Sequence, residues 1–482
     1  MKTVLIICLI FFFSGTDCRT SSFHILKHNP PPPKGALKSS VYVSQAYFTQ
    51  KLDHESNDEI TWSQRYFVNK EYFNTTANNV VFLMLGGESE ASERWMIYGS
   101  WLVSAQKYGA LLFQLEHRFY GKSHPFSDLS TENLRYLSSE QALADAANFI
   151  KAMNEQYSLP SDVKWIVFGG SYSGSLAAWL RLKYPDLVQG AVSTSGPLLA
   201  KLDFYEYFQV VIDDLAAISQ ECVNNLTTAM KQVDDLLYNP SDEESLTSIF
   251  NLCEPIEGLD VDGFEVANFY TSLTDAFASV AQSSGLLEFT IDDLCDPLTD
   301  QNGGKEIVRL SNVVNRIHGT QYGCLSYDYA TYVAYLKDTK KNGDLRQWIY
   351  QTCTEFGWYQ TTSREDKIFG KGCSIDFNTN LCVEVFGKSF NETFINAQID
   401  RTNANYGGID IAVSNVVYVH GSLDPWHAAG LTETTNPDSP VIFIEGTSHC
   451  ADMYETTENE LPQLTAAKNE VDRLIGVWLG LN

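Results

Sequence analysis

Apolar residues along this chain gather in short, nearly unbroken runs: Val80–Leu85, Ala110–Leu115, Trp165–Phe168, Gly190–Ser193, Val416–Val419 and Val441–Ile444. Strands covered by helices on both faces have no polar side to show, so they read as continuous rather than alternating. Two earlier segments, Ala46–Gln50 and Thr61–Val68, are rich in aromatic and β-branched residues and predict further strands. Between the runs, Ser139–Gln156 and Leu176–Tyr184 carry helical patterns, and a C-terminal helix is expected over about Pro462–Leu479. Strands alternating with helices predict an α/β fold, a mostly parallel sheet wrapped by helices.

From about Leu199 to Arg346 strand-like runs become scarce. Amphipathic segments such as Phe208–Ile218, Ala229–Tyr238 and Phe264–Ala281 take over. They predict a helical insertion, residues 199–346, between the sixth and seventh strands, dividing the sheet domain into 41–198 and 347–482. Insertions at that edge of a sheet often form lids over active sites. At the N-terminus, Lys2 precedes the apolar run Val4–Phe13 and the small residues Ser14-Gly15-Thr16, which predicts a secretory signal peptide over residues 1–18. Residues 19–40, with four prolines at Pro30–Pro33, read as a leader or pro-segment, with ordered structure from about Val41. No later run reaches the roughly twenty apolar residues of a membrane span.

The charge balance narrows the partners. Asp and Glu number 60 against 33 Lys and Arg, and no basic run exists to neutralise phosphates, which argues against nucleic acid. Beyond the signal region lie Cys222, Cys253, Cys295, Cys324, Cys353, Cys373, Cys382 and Cys450. An even count in an oxidising compartment predicts pairing, and the spacing fits no zinc site. Neither a metal nor a cofactor is expected. Asn74, Asn225 and Asn391 open Asn-x-Thr triplets and are candidate glycan sites.

The candidate chemistry starts where the run Trp165–Phe168 ends. Gly169-Gly170-Ser171-Tyr172-Ser173-Gly174 passes directly into a helical pattern, so a hydroxyl stands at the tip of a tight strand-to-helix turn. The arrangement resembles the nucleophile elbow of α/β-hydrolases, with Ser173 where the usual pattern has a second glycine. A serine needs a base, and the base an orienting carboxylate. Asp424 follows the run Val416–Val419, and His449 follows the run Val441–Ile444, which reproduces the order Ser, Asp, His. His420 and His427 are the competing histidines; His420 precedes the aspartate on its own strand end, and His427 lies three residues past it. Backbone N–H groups of Tyr172 and of Gly87, after the run Val80–Leu85, are the expected oxyanion donors. Glu88 and Glu90 would border the site, placed to hold a peptide's free amine.

Further motifs join these: Phe48-Thr49-Gln50-Lys51-Leu52-Asp53-His54, Gln64-Arg65-Tyr66-Phe67, Glu116-His117-Arg118-Phe119-Tyr120-Gly121, His420-Gly421 with Asp424-Pro425-Trp426, and Gly446 with His449. Together they resemble the serine peptidase family of lysosomal Pro-X carboxypeptidase, dipeptidyl peptidase II and thymus-specific serine protease, over roughly Val41 to the C-terminus. The elbow is most similar to the thymus-specific branch. The resemblance implies an α/β-hydrolase fold with a helical, disulfide-bearing insertion, a Ser171–Asp424–His449 triad, peptide substrates and cleavage next to proline from one end of a short peptide. Where prolyl-specific members carry Ser-Tyr-Gly-Gly-Met, this chain has Ser171-Tyr172-Ser173-Gly174-Ser175, so Ser175 is expected to widen a proline slot walled by Trp358, Tyr359 and Trp426. A secreted or lysosomal exopeptidase is the expected function, and a homodimer is compatible with it. A lipase or carboxylesterase on the same fold, or a non-catalytic glycosylated binding protein, are the competing readings.

Overall fold

The computed structural model describes residues 30–34, 41–76, 79–239, 244–319, 323–340, 343–370 and 372–481. The expected signal peptide lies outside the described residues, as does most of the leader. In chain order the strands are β1 (Val43–Lys51), β2 (Thr61–Asn69), β3 (Val80–Leu85), β4 (Leu111–Leu115), β5 (Lys164–Gly170), β6 (Gly190–Thr194), β7 (Lys201–Asp203), β8 (Gly357–Tyr359), β9 (Val416–Gly421) and β10 (Val441–Ile444). Eight of them form one sheet in the order β1-β2-β4-β3-β5-β6-β9-β10. The β1–β2 and β2–β4 pairs are antiparallel, and the remaining pairs are parallel.

Alternate residues of the central strands bury on opposite faces, which explains their unbroken apolar runs. Val81, Leu83, Phe113 and Val167 pack with the helices Ser139–Gln156 and Tyr172–Lys183. Phe82, Met84, Leu112, Ile166 and Phe168 pack with the helices Trp101–Tyr108 and Pro462–Leu479 on the other side. This is the α/β-hydrolase architecture, with the functional loops at the C-terminal ends of the parallel strands.

After β6 the chain leaves the sheet and returns only at Val416. The helices Glu206–Ile218, Gln220–Tyr238, Phe264–Ser283, Ile291–Thr299 and Glu306–Ile317 open this excursion. Arg346 falls inside the helix Leu345–Gln351, and the helices Ile375–Phe386 and Glu392–Tyr406 continue the excursion beyond it. A two-stranded parallel ladder of β7 and β8 ties its start to the segment that follows the helix Leu345–Gln351. No helix among the described residues is long and apolar enough to cross a membrane.

Among the described residues three disulfides are present, Cys222–Cys295, Cys253–Cys324 and Cys353–Cys382. The even cysteine count predicts full pairing, but Cys373 and Cys450 are both free and buried. Cys373 faces the hydroxyls of Thr271 and Thr274 in the insertion, whereas Cys450 follows β10 beside the elbow. Parity says nothing about where two leftover thiols end up. A piece of the leader also packs on the domain: Tyr454 Oη donates to Pro31 O at 2.8 Å, and an Arg94 guanidinium N–H donates to Pro33 O at 3.3 Å.

Candidate active site

β5 ends in the glycine pair, and Ser171 follows with φ 60° and ψ −134°, a left-handed conformation that serine adopts only under strain. The crowding behind the turn shows why its neighbours are glycines. A Cβ on Gly169 would collide with the Ser173 carbonyl, and one on Gly174 would lie 2.5 Å from Thr194 O. Ser173 replaces the usual glycine at no loss because its hydroxyl closes the turn. It accepts from Gly170 N–H at 3.0 Å and donates to Gly170 O at 2.8 Å. Ser171 N–H is held by Thr194 O of β6 at 2.9 Å, and Ser171 Oγ makes no hydrogen bond with the described residues.

Asp424 caps the turn after β9, its Oδ1 accepting Trp426 N–H at 3.0 Å, with Pro425 at the first position of the short helix. The same oxygen accepts His449 Nδ1–H at 2.9 Å. That bond fixes the tautomer and leaves Nε2 as the basic nitrogen; Nε2 is buried and has no partner among the described residues. Burial works against charge on both groups, but on the histidine the attraction of Asp424, and after it that of Cys450, outweighs burial, and on the carboxyl that of His449 does: the imidazole is held well above its ordinary range, and the carboxyl below its own. The loop after β10 reaches the elbow, since Gly170 lies against Cys450 Sγ. Of the competing histidines, His427 bonds Gly421 O at 3.2 Å and packs on Phe443. His420 is buried against Gly430, and burial pushes it down to about 4.

Tyr172 N–H is the first of its helix and has no intrahelical acceptor. Gly87 is buried in the turn after β3, where Gly86 N–H bonds Leu115 O at 2.8 Å. Glu88 is buried, and neither carboxylate oxygen has a partner among the described residues. Burial pushes its carboxyl up to about 7, with Asp344 adding to the rise and His449 opposing it. Glu90 goes elsewhere: it is exposed and pairs with Arg65 at 3.0 Å, so its charge serves that arginine.

Trp358, Tyr359 and Trp426 line one cavity of about 170 Å³. Trp358 meets Trp426 edge-on at 5.8 Å, and Trp426 lies 6.5 Å from the His449 ring. Ser175 does not line it. Its side chain is fully buried in the helix after the elbow and donates to Pro197 O at 2.6 Å. The helical turn aims it into the packing behind the elbow, so its small size widens no slot. Asn74 and Asn391 are exposed, while Asn225 is half-buried and spends its Nδ2 on Leu298 O at 3.0 Å, the atom a glycan would need.

Several residues of the site carry no signal in sequence pattern. Tyr172 Oη donates to His117 Nε2 at 3.1 Å and accepts from Gln351 Nε2 at 3.0 Å. Burial pushes His117 down to about 4; the neutral ring donates Nδ1–H to Arg118 O at 2.8 Å. Arg118 in turn grips Asp145 through two bonds of 2.7 and 2.6 Å. The Glu116–Gly121 motif is therefore a buried frame beneath the elbow. Gln282, from the insertion, receives His449 N–H on its carbonyl at 3.1 Å and Trp426 Nε1–H on its side chain at 3.0 Å.

Fold and chemistry together define a serine hydrolase. Residues 50–471 match the family described as serine carboxypeptidase S28, and the chain belongs to that family of serine peptidases. A serine protease relative from Caenorhabditis elegans is 35% identical, covering 94% of this chain and 92% of its own length. The thymus-specific serine protease of Mus musculus is 34% identical, covering 90% of this chain and 87% of its own. The lysosomal Pro-X carboxypeptidase of Homo sapiens is 28% identical, covering 91% and 88% respectively.

Proposed function

We propose that this chain is an exopeptidase of the secretory pathway or lysosome that trims short peptides, at or near prolyl bonds, through an acyl-enzyme. The observation that carries the reading is the His449–Asp424 bond, made by a loop that reaches the elbow at Gly170, next to the strained Ser171. In this mechanism His449 Nε2 takes the Ser171 proton as Oγ attacks the scissile carbonyl carbon. The Tyr172 and Gly87 N–H groups hold the oxyanion, and the new imidazolium donates its proton to the leaving amine. Water then attacks the ester by the same route and frees Ser171. Asp424 stays ionised and stabilises the imidazolium. Glu88, a buried carboxyl with no partner among the described residues, suits the charged amino end of a peptide. The names of the relatives support a proline preference, and the disulfides and the thiol-oxidising setting they need support the compartment.

The test is a proline-containing peptide library read by mass spectrometry, with chromogenic esters in parallel. Loss of one or two residues from one end, blocked by fluorophosphonate labelling of Ser171, is the expected result. Internal cuts, or turnover of esters alone, would overturn it.

A further inference from the structure

The cavity bearing Trp358 and Trp426 has an unusual balance of groups. Aromatic faces dominate its wall, with Trp348, Trp358, Trp426 and Phe208 among them, and it holds a single carboxylate, Asp275. Among the described residues no lysine or arginine lines it, and its histidine, His318, engages Ser272 O through Nε2 at 2.7 Å. Asp275 makes no hydrogen bond or ion pair with any described residue, and burial alone pushes its carboxyl up to about 8. A carboxylate without a partner among the described residues, in a cavity whose wall also carries tryptophan rings, suits a cation from outside. The carboxylate supplies the charge, and the rings add attraction through their electron-rich faces.

Its position ties the cavity to the reaction. Trp348 packs on Tyr172 at 5.8 Å between ring centroids, and Trp426 packs on the His449 ring. Asp275 lies on the helix Phe264–Ser283, seven residues before Gln282, which holds the His449 backbone. Seven residues are two helical turns on the same face, about 10 Å.

We infer that this cavity receives a basic side chain of the peptide substrate, with Asp275 as its counter-ion and a specificity residue. The inference rests on the peptidase reading above. Atom for atom nothing is transferred; the cavity binds.

Matched peptides with lysine or norleucine beside the scissile bond test it, each with a free or an acetylated amino terminus. Wild type should favour lysine at least tenfold in kcat/KM, mostly through KM, whether or not the terminus is acetylated. Asp275→Asn, which keeps the side-chain shape, should bring the lysine-to-norleucine ratio near one, and Asp275→Glu should restore part of it. An unchanged ratio in Asp275→Asn would overturn the inference, as would a preference that follows the free terminus instead of the side chain. A second arm does not need peptide turnover: butylammonium, against butanol as control, should inhibit hydrolysis of a chromogenic ester in wild type and lose at least tenfold of its potency in Asp275→Asn. Asp275-dependent inhibition without any peptide cleavage would leave the cation site standing and overturn the peptidase reading. Equal inhibition in both forms would remove the site.

Discussion

Asp424→Asn isolates the electrostatic part of the triad. Both bonds to this side chain, from Trp426 N–H and His449 Nδ1–H, end on the same oxygen, Oδ1. Asparagine can keep both by retaining its carbonyl there, so the substitution removes charge with little change in geometry. The imidazolium formed during attack then loses an anion about 4 Å from its charge centre, worth about 4 kcal/mol at an effective dielectric constant near 20. At about 1.4 kcal/mol per decade, kcat should fall about a thousandfold. The pH profile gives a second readout. Asp424 raises the His449 proton affinity, and the base works only when neutral, so activity rises as pH rises through the His449 range. Removing the anion lowers that affinity, so the acid limb of kcat/KM should move to lower pH even as the plateau drops. Steady-state kinetics across pH, with fluorophosphonate labelling as a check on folding, would measure both. A loss below tenfold, or a limb that stays or moves upward, would refute the assignment of Asp424 as the partner of the base.

Ser171→Ala should abolish turnover except for a residual rate of about a thousandfold over water, and a fluorophosphonate should label Ser171, with labelling of Ser173 contradicting the elbow. Ser175→Met should lower stability by about 1–3 kcal/mol through overpacking behind the elbow and leave the ratio of Pro to Ala peptides unchanged; a sharpened proline preference at unchanged stability would put Ser175 back in the pocket wall. Among the cysteines from Cys222 onward, alkylation of the native, unreduced protein should find no reactive thiol, and alkylation after denaturation should find two, Cys373 and Cys450; the other six should react only after reduction, and any other number would contradict the three disulfides.

The sheet was legible because its chemistry is local. A strand covered on both faces must be apolar at every position, and each of the six unbroken runs is a strand in the structure. The triad residues were legible as candidates because each follows such a run, in the chain order of the fold. Contacts between side chains far apart in sequence left no such trace. Nothing periodic marks Gln351 as a partner of Tyr172, or His117 as the acceptor beneath it. Ser175 misled for a related reason. Its distance in sequence from the nucleophile is short, but one helical turn points it toward Pro197 and away from the cavity. Trp426, two residues past Asp424, and Trp358, in the run Glu355–Tyr359, were candidates for a wall through their bulk, and both line one cavity.

The helical insertion does more than cover the sheet. Its helix Phe264–Ser283 holds the backbone of His449 and the ring of Trp426 through Gln282, and Ser448 Oγ donates to Ser284 O at 2.7 Å just beyond it. His449, the proposed base, is thus positioned from both sides: Asp424 orients its ring, and the insertion fixes its loop. Both Cys222–Cys295 and Cys253–Cys324 close loops that contain this helix, with separations of 73 and 71 residues. Loops of that length lose about 4 kcal/mol of unfolded-state entropy when closed. The disulfides therefore stabilise the element that the His449 loop leans on, so the proposed triad would owe its geometry, and not only its stability, to an oxidising compartment.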